Sequence, residues 1–152
     1  MSEYQLLQEF KEQILKFLDE LIDQFPRQPE FVIIRIFVKD QIPVADVLGR
    51  FIVEVLPLRH LIRDHNEVVF LNSDAISNAI SSSGSDTMDN VNQLKKLWQS
   101  EQLDEQDRLT IWRWMELFIK LAERYYKKYG FVQGWEIDLD LATELVQKKY
   151  AK

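Results

Sequence analysis

The stretch Leu97–Gly130, LWQSEQLDEQDRLTIWRWMELFIKLAERYYKKYG, decides the fold of this chain. It holds three of the four tryptophans and three of the five tyrosines, and it ends in a cluster of lysine and arginine. Such a composition suits an aromatic, basic surface that binds nucleic acid, and it equally suits the middle of a hydrophobic core. The spacing of the polar residues separates these two interpretations.

Apolar residues cover most of the circumference of the predicted helix from Asp104 to Tyr129. One narrow stripe at helical spacing holds the polar residues Arg113, Glu116, Lys120, Glu123, Arg124 and Lys127. A helix of this kind is buried on several sides. Trp112 and Trp114 project about 200° apart, so they cannot form one stacking platform. We therefore predict a long central helix whose aromatic residues, including Trp112 and Phe118, are buried core residues.

Residues at both ends bound this helix. Asp104, Glu105 and Asp107 suit a helix N-terminus, where carboxylates interact favourably with the helix dipole. Leu103, just before them, is a candidate hydrophobic staple. Gly130 is placed to form a left-handed cap at the C-terminus.

The rest of the chain predicts further helices. Apolar residues recur at steps of three and four from Met1 to Phe25, with Ser2 and Gln5 as a candidate capping box. All four prolines fit at helix boundaries. The other predicted helices cover 43–56, 57–71 (less regularly), 87–100 and a final segment from about Asp138 or Asp140 to Lys149.

The segment FVIIRIFV, Phe31–Val38, is the hardest to assign. Its β-branched residues favour a strand by propensity. However, no hairpin turn or partner strand lies nearby, and a lone strand cannot satisfy its backbone hydrogen bonds. Because Pro29 suits a first helical position, we predict a short, buried helix.

The composition indicates one globular, all-α domain spanning residues 1–152. The chain has 152 residues, 46% of them hydrophobic and 29% charged. We expect a single compact bundle of about six or seven helices around the long one, interrupted by a flexible, serine-rich loop at about 72–86 with room for one helical turn. The absence of cysteine excludes a disulfide scaffold and a cysteine nucleophile, and it fits a reducing compartment.

The N-terminus has no apolar signal core, and no apolar run approaches the roughly twenty residues of a membrane-spanning helix. We therefore expect an intracellular protein without a membrane partner. The net charge is −6, and residues 1–25 carry six acids against two bases, whereas 87–152 carry eleven of each. An acidic chain binds nucleic acid poorly unless a local basic patch overcomes the repulsion of phosphates.

Candidate metal ligands are sparse. His60, Asp64 and Glu67 are spaced to share one helical face, but Arg63 lies beside them and His65 points elsewhere, so solvated polar residues are the preferred interpretation. The segment with Glu136, Asp138 and Asp140 lacks the glycine and oxygen spacing of a calcium loop, and one aspartate capping the last helix explains it. We predict no metal and no cofactor.

Motifs for catalysis are also missing. The sequence has no glycine-rich phosphate loop, no nucleophile motif and no histidine–carboxylate pair in a recognisable frame. We therefore expect that the protein is not an enzyme.

The basic end of the long helix is the one candidate nucleic-acid-binding site. It combines Lys120, Arg124, Lys127 and Lys128 with Tyr126 and Tyr129. Cations at a helix C-terminus also complement the helix dipole, which is the simpler explanation. We expect Glu116 and Glu123 to pair with these bases, as neighbours one helical turn away do.

A wider pattern in the chain carries a resemblance. FLDELIDQFP, FVIIRIFVKDQIP and FIVEVLP are followed by the pattern LW-x-S-x-x-LD-x-x-D-x-x-x-IW-x-W, formed by Leu97, Trp98, Ser100, Leu103, Asp104, Asp107, Ile111, Trp112 and Trp114. This order resembles a group of uncharacterised proteins encoded by large DNA viruses of algae and protists. The resemblance covers most of the chain except the serine-rich loop and the tail. It implies a viral, intracellular origin, in host cytoplasm or virion, and brings no activity and no catalytic residue.

The leading hypothesis is a non-catalytic protein that acts through contacts with a protein partner or a second copy of itself, as a virion or viral-factory component. The acidic N-terminal helix has an apolar stripe broad enough to dock on a partner, or alternatively on the protein's own core. The rival hypothesis is a nucleic-acid accessory factor that uses Lys120, Arg124, Lys127 and Lys128. A third is a hydrolase with an unrecognised carboxylate site.

Overall fold

Helices make up the regular structure of the chain. The computed structural model describes residues 1–73, 75–80 and 95–150, without the side chains of residues 77 and 80, and those ranges contain no strand. The helices are α1 (Glu3–Gln24), α2 (Pro29–Ile36), α3 (Val44–Glu54), α4 (Arg59–Arg63), α5 (Val68–Leu71), α6 (Ala75–Ile80), α7 (Glu105–Tyr129) and α8 (Leu139–Tyr150). A π-helical turn (Phe37–Gln41) continues α2, a 3-10 turn (Leu56–Leu58) joins α3 to α4, and residues 95–99 are also helical. The predicted all-α fold with one long helix is confirmed.

The capping box predicted for α1 is present, and α7 begins with a capping box of its own at Asp104, which the sequence analysis had placed with the first-turn acids. Ser2 Oγ accepts a hydrogen bond from the Gln5 amide at 3.2 Å, and the Ser2 amide donates to Gln5 Oε1 at 2.8 Å. Asp104 and Asp107 make the same reciprocal pair, at 2.8 and 3.1 Å. Both pairs satisfy backbone N–H groups that have no partner inside the helix.

Two details at the ends of α7 differ from the sequence prediction. Gly130 has a positive φ of 77°, but its ψ of −153° lies outside the left-handed helical region. Leu103 is buried in the core and does not form a staple, since the fourth helical residue is Arg108. The Arg108 guanidinium instead donates to the carbonyl of Trp98.

Helices α1 and α7 run antiparallel and are joined along their whole length. The Tyr125 hydroxyl donates to Glu3 at 2.8 Å, and Trp114 Nε1 donates to Glu20 at 2.8 Å. On its inner side α1 buries an apolar stripe, whose buried members are Leu6, Leu7, Phe10, Leu18 and Leu21. The stripe therefore packs on the protein's own core, which leaves the acidic face of α1 towards solvent.

Aromatic rings fill the space around α7. Phe118 is 2% exposed, and its ring lies 5.5–6.2 Å from the rings of Phe10, Phe17 and Phe51. Trp112 is 5% exposed and meets Trp98 edge-on at 5.4 Å. Such edge-to-face contacts add to the stabilisation from burial. The prediction that these aromatic residues form the core is confirmed.

Helix α2 forms where it was predicted, with Pro29 in its first turn, but it is buried on one side only. Phe31 and Ile34 face the core, whereas Val32, Ile33 and Ile36 are exposed. The prediction of a buried helix is therefore wrong for half of its circumference. Helix α1 covers the inner side, and no element within the described ranges packs on the outer side.

The segment between α7 and α8 is anchored by a tryptophan that lies on a glycine. The indole of Trp135 packs against Gly49 of α3 so closely that a Cβ at position 49 would overlap its ring. Trp135 Nε1 donates to Asp46 at 2.9 Å, and the Arg50 guanidinium lies 5.5 Å from the centre of the ring. At this position glycine is required by the close approach of a side chain.

The remaining predictions concern the middle and the end of the chain. Helix α6 replaces the single helical turn expected within the serine-rich loop, and the rest of that loop, 81–86, lies outside the described residues. Of the helix predicted over 87–100, residues 95–99 are helical and 87–94 lie outside the description. Asp138 caps α8 by accepting from the Leu141 amide at 3.1 Å, as expected for one aspartate of that segment.

The burial of Trp112 makes a stability prediction. Replacing it with alanine should lower the free energy of unfolding by about 3–5 kcal/mol, because the change removes a large buried side chain and leaves a cavity. Chemical denaturation monitored by circular dichroism measures this. Tyr4→Ala is the control: Tyr4 is 65% exposed, so its loss should change stability by less than about 0.5 kcal/mol. Equal effects of the two changes would mean that Trp112 is not a core residue.

Tyr125 predicts a loss of stability at high pH. Burial, helped by the hydrogen bond to the Glu3 carboxylate, raises the pKa of Tyr125 from 10.0 to about 12. The native state therefore keeps a proton that the unfolded chain releases, so this stabilisation is complete below pH 10 and lost as the pH rises through about 12. We expect the free energy of unfolding of the wild type, measured by urea titration, to fall relative to that of Tyr125→Phe as the pH rises through that range. Parallel profiles would contradict this, and Tyr4→Phe serves as the control.

Candidate functional site

A basic stripe runs along the solvent face of α7. Arg113, Lys120, Arg124 and Lys127 are exposed and lie within about 60° of one another around the helix axis, over a length of roughly 21 Å. None of these four side chains has an ion-pair or hydrogen-bond partner among the described residues. We call these four residues the basic stripe.

The expectation that Glu116 and Glu123 neutralise these bases is wrong. Glu123 pairs with Arg63 and lies 3.7 Å from the Arg59 guanidinium, and Glu116 accepts a bond of 2.8 Å from the His65 ring. Both glutamates lie on the edge of α7 that faces α4, so arginine side chains of α4 and the His65 ring in the turn after it reach them first. The two glutamates one turn away on α7 therefore do not pair with the basic stripe.

Lys128 and the tyrosines predicted beside it take structural roles. Lys128 Nζ donates to the Met1 carbonyl at 2.9 Å, which ties the end of α7 to the start of α1. The Tyr129 ring packs 5.2 Å from that of the buried Tyr125, and Tyr126 is half-buried against the core. Of the four predicted nucleic-acid contacts, Lys120, Arg124 and Lys127 share one face, and Lys128 is engaged elsewhere.

The three residues whose spacing could suit a metal ion do not come together on one helical face. Helix α4 ends at Arg63, so His60, Asp64 and Glu67 do not share a helical face. No group of three histidine, aspartate or glutamate side chains in the described part of the chain is close enough to hold a metal ion.

His65 has a role that the sequence did not indicate. Its φ is 52°, an unusual value for a residue with a side chain. Its ring stacks on Trp112 at 5.1 Å with an interplanar angle of 3°, and it bonds to Glu116. The stacked ring covers one face of a core tryptophan. The asparagine that follows would have been a more conventional residue for a positive φ, so no sequence signal pointed to His65.

The outer face of α2 is the most apolar exposed surface on a described helix. Val32, Ile33 and Ile36 are 43%, 56% and 47% exposed and fall within about 100° of arc, with exposed Pro29 between them. Scattered exposed apolar residues are common, whereas a contiguous group marks an interaction surface more often. We call Pro29, Val32, Ile33 and Ile36 the α2 face.

Charges of both signs surround the α2 face. Arg35 pairs with Asp19 of α1 at 2.5 Å, and Lys11 Nζ donates to the Lys39 carbonyl at 2.9 Å. Arg27 and Asp40 are exposed at the two ends of the helical segment. An apolar centre with a mixed polar rim is the usual anatomy of a protein–protein interface.

An apolar cavity of about 90 Å³ lies beneath the other side of α2. Its walls come from α1, α2, α3, α5, α6, α7 and the segment around Trp98, and its surface carries no polar atom. Leaving such a volume unfilled costs about 2 kcal/mol at the usual ~24 cal/mol per Å³. It is therefore a sizeable defect in an otherwise closely packed core.

Comparisons with known proteins found no relative of this chain. No helix in the described ranges is both long and apolar enough to cross a bilayer. Searches against family models, curated proteins and solved structures gave no match, so function has to be argued from the surfaces described above.

Proposed function

We propose that this protein is a non-catalytic interaction protein that binds a protein partner through the α2 face. The observation that carries the proposal is the exposure of Val32, Ile33 and Ile36 on one side of a helix whose other side is in the core. The apolar stripe of α1, the surface suggested by the sequence, supports the core and is not free for a partner. We therefore propose the α2 face, and not the apolar stripe of α1, as the surface that binds the partner.

The size of the α2 face indicates the strength of such an interaction. Complete burial of a valine or isoleucine side chain contributes about 1.5–3 kcal/mol of favourable free energy. Each of these residues is already about half buried, so a partner that covers it would gain roughly half of that free energy. An eight-residue helix is only about 12 Å long, so the face is much smaller than the roughly 800 Å² per partner of a stable interface. It suits a weak, transient partner or the apolar centre of a wider contact.

The resemblance to virus-encoded proteins indicates where we expect the protein to act. A virion or viral-factory component inside the host cell would act through repeated protein contacts without chemistry of its own. A second copy of the chain is the other partner type, and its involvement would appear as concentration-dependent mass in size-exclusion chromatography with light scattering.

A charge substitution on the α2 face tests the proposal. Ile33→Glu with Ile36→Glu should abolish partner capture from infected cells while the melting temperature stays near the wild-type value, because both side chains are already half in water. Leu141→Glu with Leu145→Glu is a matched control, since these leucines are also exposed one turn apart, on α8. Capture that is unchanged by the α2 substitutions, or equally reduced by the control, would rule out the α2 face as the binding surface.

The second candidate function is binding of a nucleic acid through the basic stripe. The observation in its favour is that Arg63 and His65 occupy Glu123 and Glu116, which leaves Lys120, Arg124 and Lys127 unpaired among the described residues. Against it stands the net charge of −6, which repels phosphates over the whole molecule. We rank it below the protein partner for that reason.

Gel shifts at physiological salt distinguish the two candidates. We expect no DNA or RNA binding tighter than the roughly 10⁻⁴–10⁻⁶ M typical of non-specific contacts. Nanomolar binding that is lost in Arg124→Glu with Lys127→Glu would make nucleic-acid binding the function instead. Lys148→Glu with Lys149→Glu changes the charge equally on exposed residues of α8 and should leave such binding intact.

A further inference from the structure

The apolar cavity lies where the inner sides of several helices meet. Phe17 and Leu18 approach it from α1, Phe31 and Ile34 from α2, and Met115 from α7, with Trp98 on a further side. Most of these residues are buried, and the cavity is a partly open pocket in the core that is separate from both the α2 face and the basic stripe.

We propose that this cavity is a binding site for a small apolar ligand or for the end of an alkyl chain. The chemistry of the wall sets the ligand class: no polar atom faces the cavity, so a hydrogen-bonding group placed there would lose its bonds to water without replacement. Water is disfavoured for the same reason, because a buried water needs two or more polar partners. A hydrocarbon makes no hydrogen bonds to water, so it loses none when it enters the cavity.

The volume sets the ligand size. An apolar cavity of about 150 Å³ in another protein stays dry and binds benzene or xenon. At about 90 Å³, the present cavity suits a xenon atom or a short stretch of alkyl chain better than a larger ring. The ligand would restore the dispersion contacts that the wall residues lack on their open side.

The position of the cavity makes occupancy detectable. The Met115 side chain lines it and is buried, and the chain has only three methionines, so a methyl-labelled methionine sample reports on the site with few signals. The proposal does not depend on the α2 face being an interaction surface.

The test is nuclear magnetic resonance of the full chain labelled at its methionine methyl groups, under increasing xenon pressure. Xenon should cause a saturable shift of the Met115 signal, assigned with Met115→Leu. Ala79→Leu points a larger side chain into the cavity and should abolish the shift, whereas Ala45→Leu, at a half-buried alanine that does not line it, should preserve the shift. A wild-type spectrum without a saturable shift, or a shift that persists in Ala79→Leu, would overturn the proposal.

Two further arms complete the experiment. If Ala79→Leu does not fold, Leu18→Ala serves instead: it enlarges the cavity and should raise xenon occupancy at a given pressure, and unchanged occupancy would place xenon elsewhere. Pentane and decanoate, each competed against xenon, identify the source of the ligand. Competition by pentane alone indicates a free hydrocarbon, and competition by both indicates an alkyl chain with its polar head outside.

Discussion

The ring of Phe118 lies at the point where α1, α3 and α7 meet, and the rest of the core is arranged around it. Its contacts with Phe10, Phe17 and Phe51 join three helices that are far apart in sequence, and none of them could bury its apolar side alone. Because close-packed aromatic rings tolerate little rearrangement, this contact fixes how the helices lie relative to one another. The antiparallel pairing of α1 with α7, and with it the outward direction of the acidic face of α1, follows from that arrangement.

The same arrangement leaves α2 between an apolar cavity and the solvent, with apolar side chains on both sides. Its inner residues Phe31 and Ile34 line the cavity, and its outer residues Ile33 and Ile36 meet solvent. This short helix packs mainly on α1, and no element in the described part of the chain covers its outer side. An apolar ligand in the cavity and a protein on the outer face would therefore act on the same helix, so binding at one site has a direct physical route to the other.

Sequence patterns predicted the features that depend on neighbours close in the chain. The cap at Ser2, the acidic N-terminus of α7, an aspartate cap on α8, the first-turn proline of α2 and the burial of Trp112 all follow from local chemistry or helical periodicity. The features that failed depend on distant residues. Glu123 was assigned to bases on its own helix, but Arg63, sixty residues earlier, reaches it first, and the exposure of Ile33 depends on where α1 ends up. The cavity has no sequence signal, because it is a property of how side chains from seven segments fit together.

The close packing of the Trp135 indole on Gly49 limits which substitutions this sequence can accept during evolution. A side chain at position 49 would occupy the space of the indole, while loss of the indole would leave Asp46 and Arg50 facing a gap. Neither position can drift alone without loosening the connection between α7 and α8. The two are expected to vary as a pair in related chains, with a smaller residue at 135 wherever 49 is larger, and such covariation would identify distant relatives whose overall similarity has faded.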